Sequence, residues 1–211
     1  MSQIILDFGN GNTCKNDKTY IKKMYDELKK VDSGKHEVIV KWQLFKKAGE
    51  NIPLTHECFD FAYQYGTSLG YKVTSSVFDK ESLDYLLKYN IPFVKIANNR
   101  NLDWLIGKVP REIPVYVSYG TEKEYIFAQT GESEPTPLVC ISNYPTFVTE
   151  YEKRFSNILQ NCFVSDHTID FDLWYKYQPE VIEWHYVLEH DEKNLDGGLF
   201  ARTPEQLSEV L

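Results

Sequence analysis

Short runs rich in β-branched and other apolar residues recur along the chain, and each is followed by a segment with helical periodicity. The strand-like runs are Ile4–Phe8, Glu37–Trp42, Lys72–Ser76, Phe93–Ile96, Val115–Ser118, Leu138–Ser142, Cys162–Ser165 and Val181–Val187. Several are apolar almost throughout, as expected of parallel strands buried on both faces. Strict alternation of this kind leaves two main architectures: a closed (β/α)8 barrel or an open doubly wound sheet.

The intervening helices carry their own start signals. Asp17 precedes the stripe Tyr20, Ile21, Met24, Tyr25 and Leu28. Thr55 caps a helix bearing Phe59, Ala62, Tyr63 and Leu69, which Gly70 stops, and Asp79 caps one bearing Leu83, Leu86 and Leu87 before Pro92 opens the next strand. A weaker helix holds Leu102, Trp104, Leu105 and Ile106, and further helices fit Glu122–Gln129, Val148–Leu159, Asp170–Tyr177 and Pro204–Leu211. No GxGxxG or Walker A run follows any strand, which removes the main support for a nucleotide-binding open sheet. The last unit finishes with one helix, as a barrel requires. The fold class is therefore read as α/β, a compact (β/α)8 TIM barrel forming a single domain over 1–211. That length is near the lower limit for barrels, so the loops must be short.

Composition narrows the function. Hydrophobic residues make up 42% and aromatic residues 15%, enough for a sizeable core. A net charge of −8 argues against nucleic acid or an anionic membrane as partner. Positive residues that converge in a pocket of so acidic a chain point instead to a small anion. No apolar run is long enough for a membrane span, and the start lacks the marks of a signal peptide, so a cytoplasmic protein is expected. Cys14, Cys58, Cys140 and Cys162 form no CxxC pair and are read as buried reduced thiols.

In a barrel, functional groups gather at the carboxyl ends of the strands. Those ends carry Asp7, Lys41 and Gln43, Ser75 and Ser76, Lys95 and Asn98, Ser118, Ser142 and Tyr144, Ser165 with Asp166 and His167, and Glu183 with His185. Lys41 and Lys95 could aim two positive charges at one anion, with hydroxyls from Ser76, Ser118, Ser142 and Ser165 as neutral donors. His167 and His185 end consecutive strands, so two imidazoles could share one divalent metal and leave positions for substrate and water. The other reading is one general base and one supporting histidine. His36, His56 and His190 are read as surface residues.

Taken together, these strand ends resemble the sialic acid synthase family, the phosphoenolpyruvate-dependent synthases of N-acetylneuraminate and related nine-carbon acids. Phe163-Val164-Ser165-Asp166-His167-Thr168 is similar to the family's (F/L)SDHT, Ile182-Glu183-Trp184-His185-Tyr186 to IE(K/R)HF and Lys41-Trp42-Gln43 to KFQ. Ser75-Ser76-Val77-Phe78-Asp79 looks like SxPFD, Lys95-Ile96-Ala97 like KIxS, Asn143-Tyr144-Pro145 like the YP after strand six, and Thr203-Pro204-Glu205 like the start of the last helix. The resemblance implies that Lys41, Ser76, Lys95, Asn98, Ser118, Ser142 and Ser165 hold phosphoenolpyruvate. It implies a divalent metal, Mn or Mg, on His167 and His185, which polarises the aldehyde of an open-chain sugar. Asp7, His185 and Asp196 would be catalytic, and Gln43, Arg100 and Tyr144 would meet the sugar.

The chain also departs from the family. The family's first-strand glutamate is Asp7, its following histidine is Asn12, its serine after strand four is Asn98, and its asparagine after strand six is Ser142. Arg100 stands where the family has an acidic residue that meets the sugar. The GPDH loop is abbreviated, with Asp196 as its best acidic match, and no counterpart of the C-terminal antifreeze-like domain is found. The anion and metal ends look retained and the sugar end rebuilt, which predicts a phosphorylated or acidic aldose and little condensation with N-acetylmannosamine. The leading expectation is a phosphoenolpyruvate-condensing synthase. The alternatives are a catalytically reduced barrel that binds a phosphorylated ligand or partner, and a different metal-dependent barrel enzyme such as a sugar isomerase or aldolase. Homo-oligomerisation is left open.

Overall fold

The computed structural model describes residues 2–130 and 135–211; Met1 and residues 131–134 of the expected 1–211 domain lie outside the described residues. Eight parallel strands close into one barrel in chain order. They are β1 (Gln3–Asp7), β2 (Glu37–Leu44), β3 (Lys72–Val77), β4 (Val94–Ile96), β5 (Val115–Tyr119), β6 (Thr136–Cys140), β7 (Phe163–Asp166) and β8 (Val181–His185). The helices are α1 (Gly11–Cys14), α2 (Lys18–Val31), α3 (His56–Ser68), α4 (Lys80–Leu86), α5 (Glu122–Ala128), α6 (Val148–Arg154), α7 (Asp172–Tyr177) and α8 (Pro204–Leu207). Strand β1 pairs with both β2 and β8, and that seam closes the barrel.

The period of two along each strand sorts its residues between two cores. On β1, Ile4 and Leu6, followed by Phe8, face outward and pack with Ile21, Met24, Tyr25 and Leu28 of α2 in the larger apolar cluster. Ile5 faces inward with Ile39, Phe93 and Val181 in a separate, smaller cluster, against which Tyr116 and Phe163 pack. This apolar set fills the barrel below the polar strand ends, and the rings of Phe93 and Tyr116 stack at 4.2 Å. The predicted caps form: Asp17 accepts from Thr19 N, Thr55 from Cys58 N and Asp79 from Ser82 N. All four cysteines are buried free thiols. Among the described residues, no helix is long and apolar enough to cross a membrane.

Several expected boundaries move. The sixth strand runs Thr136–Cys140, not Leu138–Ser142, because Cys140 is its last residue in register with β7, opposite Ser165. Ser142 therefore lies on the following loop. The weak helix is a 3₁₀ segment, Arg100–Lys108, whose buried residues Leu102 and Leu105 stand three apart, the period that helix favours. The helix expected to reach Leu159 stops at Arg154: Phe155 is fully buried, and Ser156 and Asn157 are poor helix-interior residues. The last helix ends at Leu207 and is followed by turns.

If the small interior cluster holds the barrel open at its working width, Phe93→Ala costs about 3–5 kcal/mol and Phe93→Leu much less. Chemical denaturation measures both; equal stability of the alanine variant and the wild type would contradict the packing described.

Candidate functional site

Closure brings the carboxyl ends of all eight strands around a cavity of about 210 Å³. Asp7, Lys41, Gln43, Ser76, Lys95, Asn98, Ser118, Ser142, Tyr144, Ser165, His167, His185 and Asp196 all line it, as do Phe78, Ala97, Cys140 and Glu183. Of the expected site residues, only Arg100 is missing from its walls. The Arg100 guanidinium donates to Ser118 O at 2.6 Å, pairs with Asp103 at 3.3 Å and lies over the Tyr119 ring. Those three local partners hold it beside the cavity rather than in its walls.

The cavity floor is charged and almost wholly buried. Lys41 Nζ donates to Asp7 Oδ2 at 2.6 Å and to Ser76 Oγ at 2.8 Å. Lys95 Nζ donates to Ser118 Oγ at 2.7 Å and stands 3.7 Å from Glu183 Oε2, while Ser165 Oγ donates to Glu183 Oε1. Glu183 Oε2 has no hydrogen-bond partner. Burial opposes every charge here, but neighbours decide the outcome. Burial pulls Lys41 down, and the Asp7 and Glu183 carboxylates outweigh it, leaving Lys41 above its ordinary value. Burial dominates at Lys95, which falls below its ordinary value despite Glu183. Burial pushes Asp7 and Glu183 up, yet the neighbouring Lys41, with His185 for Asp7 and Lys95 for Glu183, holds both below the usual carboxylate range.

Above the floor stand the two imidazoles, with ring centroids 5.3 Å apart. His167 Nδ1 is 2.7 Å from the Ile141 carbonyl, which can only accept, so Nδ1 carries a proton and donates it. His185 Nδ1 lies 3.3 Å from Asp196 Oδ1, at ion-pair range though without a well-directed hydrogen bond. Each ring thus has its Nδ1 facing an oxygen acceptor, the outer-sphere arrangement that orients imidazole ligands toward a metal. Among the described residues, no group of three or more His, Cys, Asp or Glu forms a metal cage. A divalent cation would have two protein ligands here, and the donor set fits it on those terms.

Asp196 sits on the loop between β8 and α8 and reaches the site through a network. Its carboxylate accepts from Gln43 Nε2 and Asn10 Nδ2, both at 3.0 Å, and Gln43 also donates to Asp7 Oδ2. Asn10 can meet Asp196 because Gly9 turns the chain at φ +73, where a Cβ would run into Thr13 Oγ1. Tyr144 lays its ring 4.2 Å from that of His167, and Phe200 packs against Tyr144 and His185. A wider compartment of about 550 Å³ opens outward, walled by Phe45, Lys46, Phe78, Tyr144 and Leu195 and sharing Gln43 and Asp196 with the floor cavity.

Sequence reasoning missed three residues. Glu183 stood at a strand end but had no assigned role. Cys140 was read only as a buried reduced thiol, which it is, but it also lines the cavity, where His167 and Lys95 outweigh burial and hold its thiol below the usual value. Asn10 carried no signal beyond its place just after the first strand.

The NeuB family profile matches residues 13–211. An uncharacterized protein of Methanocaldococcus jannaschii is 27% identical over 187 residues, 81% of this chain and 54% of the relative, so the chain spans about half of that protein's length. Among solved structures, N-acetylneuraminic acid synthetase of Leptospira borgpetersenii, in complex with citrate, superposes with a TM-score of 0.75 at 20% identity, covering 98% of this chain and 80% of that one. Spore coat polysaccharide biosynthesis protein spsE of Bacillus subtilis gives 0.74 at 18% identity over 99% of this chain and 65% of that one. A truncated 3-deoxy-D-arabino-heptulosonate 7-phosphate synthase of Thermotoga maritima gives 0.64 at 15% identity, over 99% of this chain and 83% of that one. At such identities these likenesses speak to the fold.

The His185–Asp196 pair has a titration signature. Burial lowers His185, but the Asp196 carboxylate and the Asp7 charge outweigh it and raise the imidazole above its ordinary value, while Asp196 is held below its own. The stability from the raised imidazole is full below its unfolded value and is lost as pH rises through the folded one. That from the lowered carboxylate is present above its unfolded value and is lost as pH falls through the folded one. Asp196→Asn should therefore destabilise most between about pH 4 and 6.5. By NMR titration, His185 should titrate lower in the variant than in the wild type; an unchanged value would break the pairing.

Proposed function

This chain belongs to the NeuB family, and from that premise we propose a metal-assisted, phosphoenolpyruvate-dependent, aldol-type condensation with an aldose or acylamino sugar. The product is a sialic-acid-like 2-keto acid. The observation that carries this reading is the joining of two buried ammoniums, each donating to a strand-end hydroxyl, to two imidazoles whose Nδ1 atoms face the Ile141 carbonyl and the Asp196 carboxylate. A small anion held by the two lysines would lie beside a Lewis acid held by the two imidazoles, the arrangement that a carbonyl acceptor needs.

In the reaction, C3 of phosphoenolpyruvate attacks the aldehyde carbon, water adds at C2, and inorganic phosphate leaves as the C2 carbonyl forms. Lys41 and Lys95 hold the phosphate and carboxylate groups, with Ser76, Ser118, Ser142, Ser165 and Asn98 as neutral donors. His167 and His185 would hold a divalent cation, Mn or Mg, which when bound would supply Lewis-acid polarisation of the aldehyde oxygen. When Lys41 turns from Asp7 to the bound anion, Asp7 loses the largest charge that lowers it and becomes a better base. It can then receive the proton released by the water that adds at C2. Asp196 keeps His185 oriented, and Gln43 fixes both carboxylates. Tyr144 and Phe200 limit water over the imidazoles. The sugar chain extends into the outer compartment past Gln43, Tyr144 and Asp196.

The second reading, a barrel that holds a phosphorylated ligand without condensing it, draws support from the carboxylates that already accompany both lysines. Measurements of binding and turnover separate the two. With Mn2+ present, phosphoenolpyruvate at about a hundred times its dissociation constant should stabilise the fold by about 2.7 kcal/mol, a melting shift of about 5–10 °C for a chain of this size. Lys95→Ala should lose most of that shift. His167→Ala and His185→Ala should lose retained cation on dialysis while remaining folded. A panel of aldoses should then show phosphate release with one of them. No shift at millimolar phosphoenolpyruvate would count against the synthase reading; a shift with no phosphate release across the panel would favour the second.

A further inference from the structure

Arg202 is wholly buried, so its charge is held by protein groups rather than by surface water. Its Nη1 donates to Thr168 O at 2.8 Å and to Phe200 O at 3.2 Å. Its Nη2 donates to Asp170 O at 2.5 Å and to Asp166 Oδ2 at 3.2 Å. The guanidinium plane lies over the rings of Phe171 and Trp184. Asp166 is shared further: Oδ2 also accepts from Trp184 Nε1 at 2.8 Å, and Oδ1 accepts from Thr168 N at 2.8 Å. The backbone N–H of Arg202 donates to His185 O at 2.7 Å.

These bonds converge on the two imidazoles without touching either ring. One guanidinium grips the residues on both sides of His167, and the same residue's amide holds the carbonyl of His185. A buried ion pair is weak evidence of stabilisation, since apolar replacements of similar volume are often as stable. What an apolar residue cannot do is fix the separation of several backbone segments at once, whereas the rigid, multiply donating guanidinium can. We infer that Arg202 is a positioning residue that sets the spacing and orientation of His167 and His185, tying the ends of β7 and β8 and the loop before α8 into one unit. This rests on the reading of the two imidazoles as one cation site, and holding such donors to a fraction of an ångström is what a two-ligand site demands.

The test compares wild type with Arg202→Lys, Arg202→Met and Leu28→Ala. Leu28 is fully buried on α2 in the outer apolar layer, and its truncation lowers stability without reaching the site. Two quantities are read well below every unfolding temperature: Mn2+ affinity by calorimetry, and the ring nitrogen resonances of His167 and His185 in cation-free protein. Both Arg202 variants should lose about ten- to a hundredfold in Mn2+ affinity, as outer-sphere partners of metal ligands do, and both should shift the ring resonances. Leu28→Ala should match wild type in both. Arg202→Lys keeps the charge and most of the stem, so it decides the matter if Arg202→Met does not fold. Wild-type affinity and ring resonances in Arg202→Lys, with only its stability reduced, would overturn the inference. So would equal changes in Leu28→Ala. If wild type binds no Mn2+, the cation reading fails, and the ring resonances still decide the role of Arg202.

Discussion

Barrel closure sets Asp7 between Lys41 on one neighbouring strand and His185 on the other, its register partners across the β1–β2 and β8–β1 pairs. Its carboxylate takes the Lys41 ammonium at 2.6 Å and lies 4.0 Å from His185 Nδ1. Residues at opposite ends of the chain thereby share one negative charge among largely buried side chains. An open sheet with the same strands would leave β1 and β8 as edges, and the anion floor and the imidazoles would belong to separate places. The charged site and the closed topology are one arrangement.

That arrangement is costly, and the packing around it shows how the cost is contained. Beneath the floor lies the plug of Ile5, Ile39, Phe93 and Val181, and above it the rings of Tyr144 and Phe200 partly cover the imidazoles. In so dry a space each unpaired charge would be penalised heavily, so ammoniums and carboxylates are interleaved. An anion entering the floor must compete with Asp7 and Glu183 for the two lysines. Every bound negative charge is therefore felt at the carboxylates, which gives the site a direct electrostatic route from anion binding to proton movement.

Much of this was legible in the sequence because parallel barrel strands are buried on both faces and write themselves as apolar runs. Their polar ends stood out against those runs, which is how Lys41, Lys95, His167, His185 and the serines were found. Boundaries were less visible: nothing local to Ser142 shows that pairing stops at Cys140, since the register with β7 decides it. The placement of Arg100 was not legible either, because a position names the residue but not the carbonyl, carboxylate and ring that hold its side chain. Asn10 and Arg202 were invisible because their partners are distant in the chain: Asn10 meets Asp196 across 186 positions and Arg202 meets Asp166 across 36. Asp196 came from the family resemblance, and the structure puts its carboxylate beside His185.

The central claim is that one pocket holds an enol phosphate and a divalent cation side by side. A crystal structure with phosphoenolpyruvate and Mn2+, using anomalous scattering to locate the metal, tests it most directly. The account predicts an anomalous peak bound to Nε2 of both His167 and His185, with the phosphate and carboxylate oxygens of the ligand on Lys41 and Lys95. A metal elsewhere, or a ligand that leaves both lysines on their present carboxylates, would contradict it.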